Sequence, residues 1–95
     1  MHDWILKEIR FDWATACAVI EFKDSTFAVR TLTAEGVKEM HIPRVNDWGP
    51  SVNVNEAFAI EVLASGFEQL RIEMQSGDVI QIVAELFVLP ENKNT

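Results

Sequence analysis

The chain is poor in several residues that small proteins use to hold themselves together or to do chemistry. It has one cysteine, Cys17, among 95 residues. An internal disulfide is therefore excluded, and a lone thiol fits a reducing compartment. Four glycines are too few for a phosphate loop or a dinucleotide fingerprint, and no serine sits in a GxSxG setting. Lysine and arginine total 8 against 15 aspartates and glutamates, a net charge of -7. Residues 1–50 hold six bases and eight acids, and residues 51–95 hold two bases and seven acids. Neither half gathers enough bases to neutralise phosphates, which excludes nucleic acid and anionic membrane surfaces as partners. A basic protein is the partner that such a charge would steer. No apolar run approaches the roughly 20 residues that cross a bilayer. The opening "MHDWILKEIRFDW" carries acids inside its first apolar stretch, so no secretory signal is expected and a cytoplasmic location is.

What is present is an ordinary globular composition, 48% hydrophobic and 24% charged, and a repeating two-residue period. Residues 1–89 read as a single domain, and "PENKNT" at 90–95 reads as a frayed polar tail. "ILKEIRF" predicts a first strand with Ile5, Ile9 and Phe11 on one face and Lys7 as an exception. "ACAVIEF" predicts a second, followed by a turn in "KDST", where Asp24 and Ser25 can bond their own backbone. "FAVRTLT" predicts a third strand, "AEG" a turn and "VKEMHIP" a fourth. Residues 52–66 are ambiguous. An asparagine at a cap position and a glycine at a stop suggest one short helix around 56–65. Val52, Val54, Phe58, Ile60 and Val62 at alternate positions favour a strand, bulged near Glu56.

The last hairpin is the clearest element. Placing Leu70, Ile72 and Met74 on one face with Ile80, Ile82 and Ala84 pairs Gln75 with Val79 and leaves Ser76-Gly77-Asp78 as a three-residue loop. The other face of the final strand carries Val79, Val83 and Phe87. A strand apolar on both faces is central in a sandwich or covered by a second subunit, so these three are the expected homodimer interface.

All three tryptophans follow an aspartate, in "HDW", "FDW" and "NDW". The simplest reading is that each indole covers a strand end while its aspartate shapes the adjacent turn. The functional alternative is a ligand- or partner-binding surface around the Trp48 loop, drawing on Arg44, Asp47, Trp48 and Ser51. Asn53 and Asn55, beside Gln75 or Gln81, would add a polar amide patch if those strands pair. His2, Asp3, His41 and Asp47 lack the spacing of a zinc site, so neither a metal nor any other cofactor is expected. Cys17 lies mid-strand between alanines, the setting of an inert thiol. Glu68, Glu73 and Glu85 alternate with apolar residues as a solvated strand face does. No catalytic residues stand out, and no enzyme activity is expected.

The pieces "HDWILKEIRFDW", "IPRVNDWGPSVNVNE" and "LRIEMQSGDVIQIVAE" together resemble a family of small, stand-alone, uncharacterised bacterial proteins. Its pattern runs HDxxLxxIxxDW, then WGPSxxVN, then IEMQSGD, and proteins of this kind occur among integron and other mobile gene-cassette products. The resemblance spans nearly the whole chain. It places His2, Asp3, Asp12, Trp13, Trp48, Gly49, Ser51, Asn55, Gln75, Gly77 and Asp78 at signature positions. It implies a bacterial source and a compact β fold, and no activity. The expected architecture is a mostly β domain, an antiparallel sandwich or partly open barrel of about six or seven strands. The expected function is a non-enzymatic protein-binding module acting as a homodimer. The alternatives are an immunity-type protein that neutralises a basic toxin and a small-ligand binder using the Trp48 loop.

Overall fold

A computed structural model describes residues 4–43, 52–54 and 59–90. Seven strands follow in chain order: β1 (Ile5–Asp12), β2 (Cys17–Lys23), β3 (Val29–His41), β4 (Val52–Asn53), β5 (Ala59–Val62), β6 (Glu68–Glu73) and β7 (Val79–Val88). They form one open antiparallel sheet in the order β4-β1-β2-β3-β7-β6-β5. No helix occurs among the described residues, and the span considered for one holds strand at 59–62 and turn at 64–65.

Alternation explains how a single sheet makes a core. In β2, Ala18, Ile20 and Phe22 are buried while their neighbours are half-buried, and β6 and β7 repeat this with Leu70, Ile72, Ile80 and Ile82. The sheet has one oily face and no second layer among the described residues, so it covers that face by curling on itself. Val54, just past β4, forms an antiparallel bridge to Met74, just past β6, and both are fully buried. The Val54 N–H also donates to the Trp4 carbonyl at 2.7 Å. These bonds pin the two flanks of the sheet together. The result is one open antiparallel sheet whose flanks meet at the Val54–Met74 bridge. Truncating a fully buried member such as Ile72 to alanine there costs about 2–5 kcal/mol.

Bends correct the expected strand faces. Lys7 is the extra residue of a bulge in β1, because Leu6 pairs with Phe22 while Glu8 pairs with Glu21. Leu6 therefore faces the core before the bulge, and Ile9, opposite Ile20, faces it afterwards. Ile5 points the other way. The charged exception in the alternation was the bulge itself. The expected "AEG" turn is absent, since β3 runs unbroken through Gly36. Gly36 takes a left-handed φ of 65°, which lets the strand bend without ending. The first part of β3 pairs with β2 and the later part with β7.

At this bend the buried face changes parity on both strands. Ala34 and Phe87 pair on the inside, as do Val37 and Ala84 three residues away. Phe87 is thus a core residue, only 7% exposed, and not part of the outward face expected for a dimer interface. Val79 and Val83 remain on the outer face, half-buried beside Glu73, Gln69 and Glu39.

The β6–β7 register also differs from expectation. Ile72 pairs with Ile80 and Glu73 with Val79. The three-residue loop is Gln75-Ser76-Gly77, one residue earlier than expected, with Gly77 at φ 97°. The core face is unchanged, because a shift of two preserves it. The left-handed position at the end of such a loop decides the register, and glycine takes it where Asp78 would be strained.

Candidate functional site

Of the residues expected to bind a ligand or partner, His2, Asp3, Arg44, Asp47, Trp48, Ser51 and Asn55 lie outside the described residues. Asn53 pairs through its backbone with Ile5 of β1, and the next residue, Val54, bridges Met74, the neighbour of Gln75. Gln81 sits between His41 and Arg71, away from that strand. Gln75 and Asp78 belong to the β6–β7 turn. Asp78 is buried, its N–H donates to Ser76 Oγ at 3.3 Å, and its Oδ2 accepts from the Ser76 hydroxyl at 3.1 Å. The bonds between Ser76 and Asp78 shape that turn.

The Asp-Trp pairs divide. Trp4 behaves as expected: it is half-buried, packs on the core, and its ring centroid lies 5.9 Å from that of Phe22. Asp12 also does, with Oδ1 accepting the Ala14 N–H at 3.0 Å to start the β1–β2 turn. Trp13 does not cover a strand end. It is 85% exposed. The reason is local, since Ala14, Thr15 and Ala16 are too short to shield an indole. Phe11, itself exposed, meets Trp13 edge-on with centroids 5.8 Å apart and planes at 76°, a favourable aromatic geometry.

The turn that presents this tryptophan is tied down. Ala16 adopts φ 54°, and its carbonyl accepts the Val37 N–H at 2.8 Å. That bond fastens the tip of the first hairpin to the bend of β3. Next to it, Glu85 lies across Gly36, where an added Cβ would come within 2.6–2.8 Å of the carboxylate arm. Glu85 reaches Lys38 Nζ at 3.4 Å, and the same ammonium stands 5.2 Å over the Phe67 ring.

Trp13 stands as a fin between two hollows of about 550 Å³ each. One is lined by Phe11, Ala16, Val37, Lys38, Glu39 and Met40. The other is lined by Arg10, Asp12, Thr15, Cys17 and Val19. Arg10 is engaged by Glu8 at 3.2 Å and Glu21 at 3.6 Å. Cys17 is a free, half-buried thiol. Among the described residues no three His, Cys, Asp or Glu side chains gather as a metal set. The arrangement offers an aromatic surface with carboxylates beside it, and no paired acid and base or activated nucleophile is visible in it.

No family model matches the chain, and no curated protein or solved structure matches it significantly. The functional reading accordingly rests on geometry.

Proposed function

We propose that this chain is a non-enzymatic protein-binding module that acts as a homo-oligomer. The observation that carries the reading is the free edge of the sheet. β5 pairs with β6 and, among the described residues, with no strand on its other side. Its sequence, Ala59-Ile60-Glu61-Val62, is short and carries one charge, Glu61, but it has no lysine, proline or bulge to deter pairing. Ile60 pairs with Leu70, so it belongs to the core-facing side of the sheet, yet it is exposed. Val62 is 70% exposed.

A second copy would supply both an antiparallel strand and an apolar cover. A two-fold pairing centred on Ile60 sets Glu61 opposite Ala59 of the other copy and avoids facing two glutamates. The half-buried Val79 and Val83 are left to the outer face of the sheet. Sedimentation equilibrium at micromolar concentrations is expected to show a dimer, and Val62→Lys is expected to shift it to monomer with an unchanged far-ultraviolet spectrum. A wild-type chain that stays monomeric at its highest soluble concentration would overturn the reading.

A further inference from the structure

We infer that the Phe11–Trp13 ledge is a second contact surface, which takes an arginine-bearing segment of a basic protein. The inference builds on the reading of the chain as a binding module and assigns a surface separate from β5.

Three observations converge. Trp13 is the most exposed of the described large apolar side chains, and it is held upright by Phe11 and by the Ala16–Val37 bond. Indole is the best aromatic face for a cation. The charges around the two hollows are also unbalanced. Arg10 and Lys38 stand against Glu8, Asp12, Glu21, Glu39 and Glu85, a net of -3. Both cations are already held by other carboxylates, whereas Asp12 and Glu39, one in each hollow, have no ion-pair partner among the described residues.

A guest with positive charge is therefore favoured over an anion or a purely apolar chain. Guanidinium fits better than ammonium, because its plane can stack on the indole while its N–H edge donates to a carboxylate. The whole chain carries -7, which would steer such a partner from a distance.

The test is calorimetric titration of the intact chain with a short alternating glycine–arginine peptide, alongside the lysine and citrulline versions. The arginine peptide is expected to bind saturably at low salt, the lysine peptide more weakly, and the neutral citrulline peptide not at all. Trp13→Ala is expected to weaken binding about five- to tenfold, within the range of a desolvated cation–aromatic contact. Glu39→Gln is expected to weaken it about two- to threefold and to flatten its salt dependence. Should Trp13→Ala fail to fold, Glu39→Gln carries the test.

Absence of saturable binding, citrulline binding as tightly as arginine, or wild-type affinity in Trp13→Ala would each overturn the inference. Equal binding of the lysine peptide would overturn the assignment to guanidinium. Sedimentation separates the two surfaces. A monomeric chain that still needs Trp13 for the peptide would sink the homo-oligomer and leave this site standing.

Discussion

The turn between β2 and β3 and the turns on either side of β6 share one hydrogen-bond plan but not one residue type. Each is a three-residue loop between two bonded flanking residues. The Phe27 N–H donates to the Asp24 carbonyl at 2.9 Å, Gly66 to Leu63 at 2.9 Å, and Gly77 to Met74 at 2.9 Å. The last loop residue is left-handed in all three, with φ of 65°, 94° and 97°. Glycine adopts that conformation freely, whereas a side chain there costs about 1–2 kcal/mol. Phe27 is nonetheless the residue in the first turn, and it is 71% exposed.

Asp24 explains how that turn survives. Its Oδ1 accepts from the Thr26 N–H at 2.9 Å, the Thr26 hydroxyl at 2.7 Å and the Ala28 N–H at 3.0 Å. Its Oδ2 meets Arg30 Nε at 2.9 Å. The Thr26 hydroxyl first, and then the Arg30 guanidinium, hold this carboxyl well below the usual aspartate range. In one case the backbone conformation is intrinsic to glycine, and in the other a side chain imposes it from outside.

The largest effect expected from breaking this contrast is at Asp24. Asp24→Asn should lower Tm more than either glycine substitution, because the charged acceptor serves several donors at once. The same variant should change the acid limb. A depressed carboxyl contributes stability that is complete above its ordinary value of 3.8 and is lost as pH falls toward its folded value. Thermal melts from pH 5 downward should show a steeper decline in the wild type than in Asp24→Asn, and parallel curves would disprove the role given to this group. Gly66→Ala comes next. Nothing lies within 4 Å of the added Cβ, so the cost isolates backbone strain, about 1 kcal/mol by urea titration. Phe27→Gly is the smallest and has the opposite sign. Relief of strain against the added chain entropy should leave it neutral or stabilised by up to about 1 kcal/mol. A clear destabilisation would mean that the Phe27 ring contributes packing despite its exposure.

How much of this was legible can be judged at particular residues. The inward positions of β6 and of β7 as far as Ala84 followed from alternation, since one oily face is a property of local pattern. Lys7 and Gly36 mark where that reading slipped. A charged residue in an apolar alternation has the same appearance whether it is a solvated exception or a bulge, and a glycine after Ala-Glu suits a turn as well as a bend. The hairpin register slipped by two because hydrophobic matching is blind to even shifts, and the glycine at the left-handed position was the signal that discriminates. Phe87 could not be placed from the period, because its face changes only where two strands bend together. The exposed Trp13 had a visible cue in the short side chains that follow it.

The sequence by itself determined that the chain would be antiparallel β, that Leu70, Ile72, Met74, Ile80, Ile82 and Ala84 would share the core face, and that its net charge would be acidic. These depend on neighbours one to four positions apart or on simple composition. Only the tertiary structure decided that the flanks of the open sheet meet at one bridge, that β5 is an edge among the described residues, and that the first hairpin is fastened to the bend of β3 with Trp13 outward. Those outcomes depend on contacts between distant segments, such as Val54 with Met74 and Ala16 with Val37. No local period encodes them, because they are set by how twist and bulges accumulate across the whole sheet.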